Sequence, residues 1–79
     1  MALGRRIRAA RKYRNFTQQH MADLLSISLN AYQKYEQAER FPPCETLVLI
    51  ADILAVPTDW LLGRDDYLQT LGVSVDVPL

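Results

Sequence analysis

The most informative part of this 79-residue chain is Thr17-Gln-Gln-His-Met-Ala-Asp-Leu-Leu-Ser-Ile-Ser-Leu-Asn-Ala-Tyr-Gln-Lys-Tyr-Glu36. Thr17 and Ser28 each stand before a helical pattern, where a side-chain oxygen can accept a hydrogen bond from a free amide of the first turn. The expected buried residues are Met21, Ala22 and Leu25 in the first helix and Ala31, Tyr32 and Tyr35 in the second. Because Leu25-Ser26-Ile27 interrupts the pattern, we predict two capped helices that meet at a tight turn.

Three more helical patterns surround this pair. We predict a first helix from Leu3 to Arg14, closed by Asn15, and a fourth from Cys44 to Leu54, after a loop that contains Pro42 and Pro43. A short fifth helix is expected from Asp59 to Leu62, with Thr58 as its cap and Gly63 as its stop. The predicted fold is all-α, with five short helices around one core in residues 1–63 and a C-terminal extension in residues 64–79.

The extension has a different pattern. Tyr67–Leu71 could form another helical turn, and Val73, Val75 and Val77 then alternate with polar residues as in a strand. One isolated strand is not stable alone. Two interpretations stay open: a frayed or loosely packed terminus, or a segment that pairs with a second subunit and so serves dimerisation.

Charge is distributed unevenly along the chain, although the net charge is zero. Residues 1–40 contain eight basic and three acidic residues, a net charge of +5, whereas residues 41–79 contain one basic and six acidic residues, a net charge of −5. Such a division can present a basic face to a polyanion and an acidic face away from it.

Several classes of protein are disfavoured. No apolar run approaches the roughly 18 residues that cross a bilayer, and no hydrophobic region follows Arg5 and Arg6 as in a secretory signal. Cys44 is the single cysteine, so an internal disulfide is excluded and a reduced cytoplasmic setting fits. His20 has no second ligand at metal spacing, and no catalytic set of residues is present. We expect no enzyme activity, metal or cofactor.

Residues 3–62 resemble the lambda-repressor-like helix-turn-helix domains of the Cro and phage-repressor type. The resemblance rests on the order and spacing of the following elements: Ile7-x-x-x-Arg11, Phe16-Thr17-Gln18, Met21-Ala22, Ile27-Ser28, Tyr32, Tyr35-Glu36, Pro42, Glu45-Thr46-Leu47 and Val56-Pro57-Thr58-Asp59-Trp60-Leu61-Leu62. It implies that the third helix enters a DNA groove and that Arg11 forms a structural salt bridge with Glu36. It also implies that Gln18 contacts the DNA backbone and braces the third helix.

Two positions depart from the family pattern. The family favours glycine in the turn, where this chain has Ser26, and two residues after the glutamate, where it has Ala38. Glycine suits the turn because the backbone there tends towards positive φ. Serine can occupy that region at modest cost, so the turn either survives or is remodelled.

The expected DNA contacts follow from placing the third helix in a major groove. Bases would be read by Leu29, Asn30, Gln33 and Lys34, and phosphates would be held by Gln18, Ser28, Gln37 and Arg40, with Arg6 and Arg8 as weaker candidates. The expected function is sequence-specific binding of double-stranded DNA by a homodimeric bacterial or phage repressor. The alternatives are a protein-interaction module, such as the antitoxin of a toxin–antitoxin pair, and an isolated domain of a larger regulator.

Overall fold

Six α-helices form the domain in the computed structural model, which describes residues 2–79. They are α1 (Leu3–Tyr13), α2 (Gln18–Leu25), α3 (Leu29–Glu36), α4 (Cys44–Leu54), α5 (Thr58–Leu61) and α6 (Asp65–Thr70). No strand occurs among these described residues. The all-α prediction is therefore confirmed for residues 2–79, and the boundaries of α4 match the prediction.

The two predicted caps in the central pair are present. The Thr17 hydroxyl accepts a hydrogen bond from the His20 amide at 3.0 Å, and the Ser28 hydroxyl accepts one from the Ala31 amide at 3.1 Å. Between the helices Ser26 is left-handed, with φ 56° and ψ 40°. The turn therefore keeps its usual backbone path with serine in the place of glycine.

Left-handed residues other than glycine end four of the helices. They are Asn15, Ser26, Ala38 and Ala55, with φ values between 54° and 61°. In each case the next amide reaches back to a carbonyl five residues earlier, as when Glu39 donates to Lys34 at 3.0 Å. This bonding satisfies free carbonyls at the end of a helix. Ala38 and Ala55 adopt this backbone although their Cβ atoms make it unfavourable.

The core lies between α1, α2, α3, α4 and α5. Its fully buried large side chains are Tyr32, Ile7, Met21, Ile50, Leu54 and Leu61. Trp60 is also buried, whereas Leu47 is only partly buried, and so is Ala31, which was expected in the core. Because α2 packs on both α3 and α4, the core holds α3 from its inner side and leaves its outer side open.

Two details of the C-terminal third differ from the prediction. Helix α5 begins at Thr58 rather than Asp59, so Pro57 occupies the cap position and Thr58 makes no side-chain cap. The predicted count of five helices was one short. Helix α6 forms because Leu68 can be buried, and Gly72, at φ 72°, follows its end.

The residues after α6 pack on their own domain without forming a strand. Val77 is only 5% exposed and lies in the core, and Val75 is partly buried. Arg14 donates to the carboxylate of Asp76, at 2.6 Å and 2.9 Å, and to the Leu54 carbonyl at 2.8 Å. The strand-like alternation of valines does not produce a strand here, because a strand needs a neighbouring strand, whereas an apolar site and Arg14 hold this segment.

Candidate nucleic-acid interface

The outer side of α3 carries the residues predicted to read bases. Asn30 is exposed at the first turn, while Leu29, Gln33 and Lys34 are partly buried. Ser28, Gln37 and Arg40, which were expected to meet phosphate, are all exposed on either side of the helix. The structure thus brings these seven predicted residues together along α3 and the segments that flank it.

Glu36, at the end of α3, is the centre of a buried polar network. Arg11 of α1 donates from Nε to Oε2 at 2.6 Å and from Nη2 to Oε1 at 3.2 Å. Gln18 Nε2 donates to Oε1 at 3.1 Å, and the Tyr32 hydroxyl donates to Oε2. Since the side chain of Glu36 is only 3% exposed and that of Arg11 10%, this ion pair lies away from water.

The network controls the ionisation of its members. Burial alone would raise the pKa of Glu36, but hydrogen bonds from Arg11, Tyr32 and Gln18 outweigh it and lower that pKa. Burial, together with the hydrogen bond to Glu36, raises the pKa of Tyr32 far above its ordinary value. Glu36 is therefore a carboxylate and Tyr32 a neutral donor at neutral pH.

Gln18 connects this network to the outer side of α3. While its amide nitrogen donates to Glu36, its Oε1 accepts a hydrogen bond from Gln33 Nε2 at 3.1 Å. Arg11, Glu36, Gln18 and Gln33 thus form one chain of hydrogen bonds from helix α1 to a predicted base-reading residue. Because the Gln18 side chain is used in this way, its backbone amide at the start of α2 is the group left for a phosphate.

Gly4 was not identified from the sequence, although it determines how α1 meets α3. A Cβ atom at this position would lie 2.6 Å from the backbone oxygens of both Tyr35 and Glu36. Only glycine allows that approach, and the end of α3 is therefore seated directly on α1. A glycine inside a helix is unfavourable by itself, so its presence in the predicted first helix was the signal that could have indicated a close approach of another element.

The six basic residues at the N-terminus have two different roles. Arg6 donates to Asp65 at 2.9 Å and to the Trp60 carbonyl at 2.8 Å, and Arg11 and Arg14 are also paired within the domain. Arg5, Arg8 and Lys12 are exposed and form no ion pair among residues 2–79. Arg6 was expected to contact phosphate; in the structure its guanidinium group ties α1 to α5 and α6.

Other kinds of site find no support in the part of the chain that the structure describes. No group of three or more His, Cys, Asp or Glu residues is arranged to hold a metal ion within residues 2–79. Over the same residues, none of the helices has the length and apolar character needed to cross a bilayer.

Comparison with known proteins places the fold in a family. A model of the helix-turn-helix domain family matches residues 4–66. The chain belongs to this family. The matched segment includes Gly4, the network around Glu36 and the first residues of α6.

Its similar curated proteins are transcriptional regulators by name. The chain is 47% identical over 64 residues to the cryptic phage CTXphi transcriptional repressor RstR of Vibrio cholerae, covering 81% of this chain and 57% of that protein. It is 38% identical to the regulator ImmR and 36% identical to the regulator AnsR, both of Bacillus subtilis, over 84% and 91% of this chain and 52% and 62% of those proteins. The chain thus spans little more than half the length of these relatives. No solved structure matches it.

Proposed function

We propose that this protein binds double-stranded DNA sequence-specifically, with α3 in the major groove. The observation that carries the proposal is the hydrogen-bonded chain from Arg11 through Glu36 and Gln18 to Gln33, which holds the outer side of α3 in one pose. A recognition helix needs such support, because a base contact depends on the position of each donor and acceptor.

Four residues of α3 are proposed to read the bases. Asn30 and Gln33 have the amide geometry that pairs with adenine, Lys34 can donate to guanine, and Leu29 can pack against the methyl group of thymine. Each good contact would discriminate by roughly 1–3 kcal/mol. Gln33 would be the most sharply positioned of the four because Gln18 already restrains it.

Phosphate contacts are proposed on both sides of α3. Gln18 would act through its backbone amide at the start of α2, and Ser28, Gln37 and Arg40 through exposed side chains. Arg8 remains a weaker candidate from α1. Contacts of this kind set affinity and position for every sequence, so they would make binding strongly dependent on salt.

The biological role proposed is that of a transcriptional repressor that binds a palindromic operator as a homodimer. It is supported by the names of the relatives, one of which is a phage repressor. One small domain makes few contacts, so two half-sites about 34 Å apart would be needed for tight binding. We further propose a lambda-repressor-like arrangement of the helices, residues 64–79 as a candidate dimerisation segment, and a cytoplasmic location, where the DNA is found.

The antitoxin alternative is not favoured by a specific observation. It drew on zero net charge, on Ser26 and Ala38 in the place of glycine, and on Val73–Val77 as a strand edge that a partner could extend. Ser26 and Ala38 keep a positive φ, and the residues after α6 form no strand. DNA binding therefore stands as the single proposed function.

Selection of bound sites from random double-stranded DNA tests the proposal. We expect a short half-site, repeated in inverted orientation, and affinity that falls steeply between about 50 mM and 200 mM salt. Replacing Asn30 or Lys34 with alanine should relax the selected sequence, whereas Arg40→Ala should weaken all sequences about equally. Selection of no sequence, together with a flat response to salt, would refute it.

A further inference from the structure

Helix α1 carries two exposed basic residues on a side that does not face α3. Gly4 and Arg11 face α3. Arg5 follows Gly4 in the chain and Lys12 follows Arg11, so each basic side chain lies about 100° further around the helix. They therefore lie away from α3 and from the buried residues of α1. Arg5 and Lys12 form a basic stripe, and neither of them forms an ion pair among residues 2–79.

Helix α4 carries an exposed face of opposite charge. Glu45 and Asp52 are exposed on one side of this helix and make no ion pair within the described residues. Val48 and Leu49 lie between them and are 52% and 49% exposed. We name these four residues the acidic face. DNA is a poor partner for it because of its charge, and water is a poor environment for its two apolar side chains.

The two surfaces match in spacing as well as in charge. Arg5 and Lys12 are seven residues apart, and so are Glu45 and Asp52. Seven residues are about two turns, or roughly 10.5 Å along a helix. Two helices laid side by side could therefore form two ion pairs at once, with Val48 and Leu49 covered by the aliphatic parts of the basic side chains.

From this complementarity we infer that the acidic face of one copy binds the basic stripe of a second copy. The two surfaces lie on different helices of each molecule, so the contact is head-to-tail and leaves one surface free at each end. A third copy can then bind in the same way. The contact is distinct from the symmetric dimer proposed for a palindromic operator, and the inference rests on the proposed function only for its biological setting.

The size of the contact indicates where it would act. One helix against one helix buries well under the roughly 800 Å² per partner of a stable complex. The contact would therefore be weak in dilute solution. Copies bound at neighbouring DNA sites have a high effective concentration, so the same contact would appear there as cooperative binding of about tenfold.

Charge reversal tests the contact without DNA. One variant carries Glu45→Lys with Asp52→Lys, and the other carries Arg5→Glu with Lys12→Glu. We expect the wild-type protein to self-associate at roughly 1 mM in low salt and each variant alone to lose about tenfold or more in association constant. An equimolar mixture of the two variants should associate again, because the unreversed basic stripe of the first variant meets the unreversed acidic face of the second, and the two reversed surfaces also carry opposite charges.

Two controls separate this contact from general electrostatics. Glu39→Lys with Asp66→Lys makes the same change of net charge outside the acidic face, and it should leave self-association unchanged. Salt near 1 M, where the screening length is about 3 Å, should weaken wild-type association. Absence of wild-type association, or a mixture of the two variants that fails to associate, would overturn the inference.

Binding to DNA with one or two adjacent sites distinguishes this inference from the proposed function. The variant with both acidic residues reversed should still bind one site sequence-specifically and should lose the roughly tenfold cooperativity at two sites. If it binds one site and keeps full cooperativity, only the head-to-tail contact is refuted. If the wild-type protein selects no site, the proposed function fails while the self-association result still decides the contact.

Discussion

The Arg11–Glu36 and Arg14–Asp76 ion pairs have the same shortest distance, 2.6 Å, in very different surroundings. Glu36 is buried and also accepts hydrogen bonds from Tyr32 and Gln18, whereas the side chain of Asp76 is 53% exposed. Water competes for an exposed pair, and its net contribution is small. A buried charge without its partner is costly. Burial therefore makes the Arg11–Glu36 pair essential to the position of α3. The exposed Arg14–Asp76 pair contributes little to holding the residues after α6.

The largest expected effect comes from breaking the buried pair on one side. Arg11→Met leaves the Glu36 carboxylate buried and without its cation, and should lower the free energy of unfolding by about 3 kcal/mol. Chemical denaturation measures this change. Adding Glu36→Gln to Arg11→Met should cost less than the sum of the two single changes. Strict additivity would show that the two residues are not energetically coupled.

The close approach of α1 to α3 gives the next largest effect. Gly4→Ala places a Cβ atom 2.6 Å from two backbone oxygens, so we expect a loss of about 2 kcal/mol, as in other overpacked sites. The sign of the change in stability decides whether the site is obstructed, because replacing glycine with alanine in an unobstructed helix stabilises by roughly 0.5–1 kcal/mol. A more stable Gly4→Ala variant would show that α1 does not approach α3 this closely.

The residues after α6 allow the matching test, which compares the exposed ion pair of Asp76 with the buried side chain of Val77. Val77→Ala removes two buried methyl groups and should cost about 1.6 kcal/mol in unfolding free energy. Asp76→Asn, at the adjacent residue, should produce no measurable change because water screens its pair with Arg14. A greater loss from Asp76→Asn than from Val77→Ala would reverse this assignment.

A stabilising change is expected at the end of α3. Ala38 has φ 60°, and glycine adopts this backbone without steric cost, so Ala38→Gly should raise the free energy of unfolding by about 1 kcal/mol. Ala9→Gly, inside α1, is the matched control and should lower it, since glycine weakens a helix interior. Thermal unfolding of both variants compares the two signs.

The smallest effect is the dependence of stability on pH. Because the pKa of Glu36 is lowered on folding from its ordinary value of 4.5, its contribution is fully present above that pH and is lost as pH falls through the folded pKa. Glu36→Gln should make unfolding free energy fall less steeply below about pH 4.5. Equal acid slopes in the wild-type protein and this variant would contradict a lowered pKa.

Local chemistry made much of the fold predictable. Thr17 and Ser28 were identified as caps because a hydroxyl before an apolar helical pattern has few other roles. The boundaries of α4 followed from apolar residues at helical spacing after Pro43. Residues 73–79 were harder, because alternation of valines describes a side-chain pattern and says nothing about whether a neighbouring strand exists.

The all-α class, the capped pair around Ser26, the uneven charge and the polar residues along α3 could be read from the sequence, since each depends on neighbours in the chain. The family resemblance implied the pairing of Arg11 with Glu36, but the other arginines were separated into paired and free only by the folded structure. Arg6 and Arg14 look like Arg5 and Arg8 in sequence, yet their partners Asp65 and Asp76 are 59 and 62 residues away. Folding brings those partners close and buries Glu36, and no local pattern encodes that proximity.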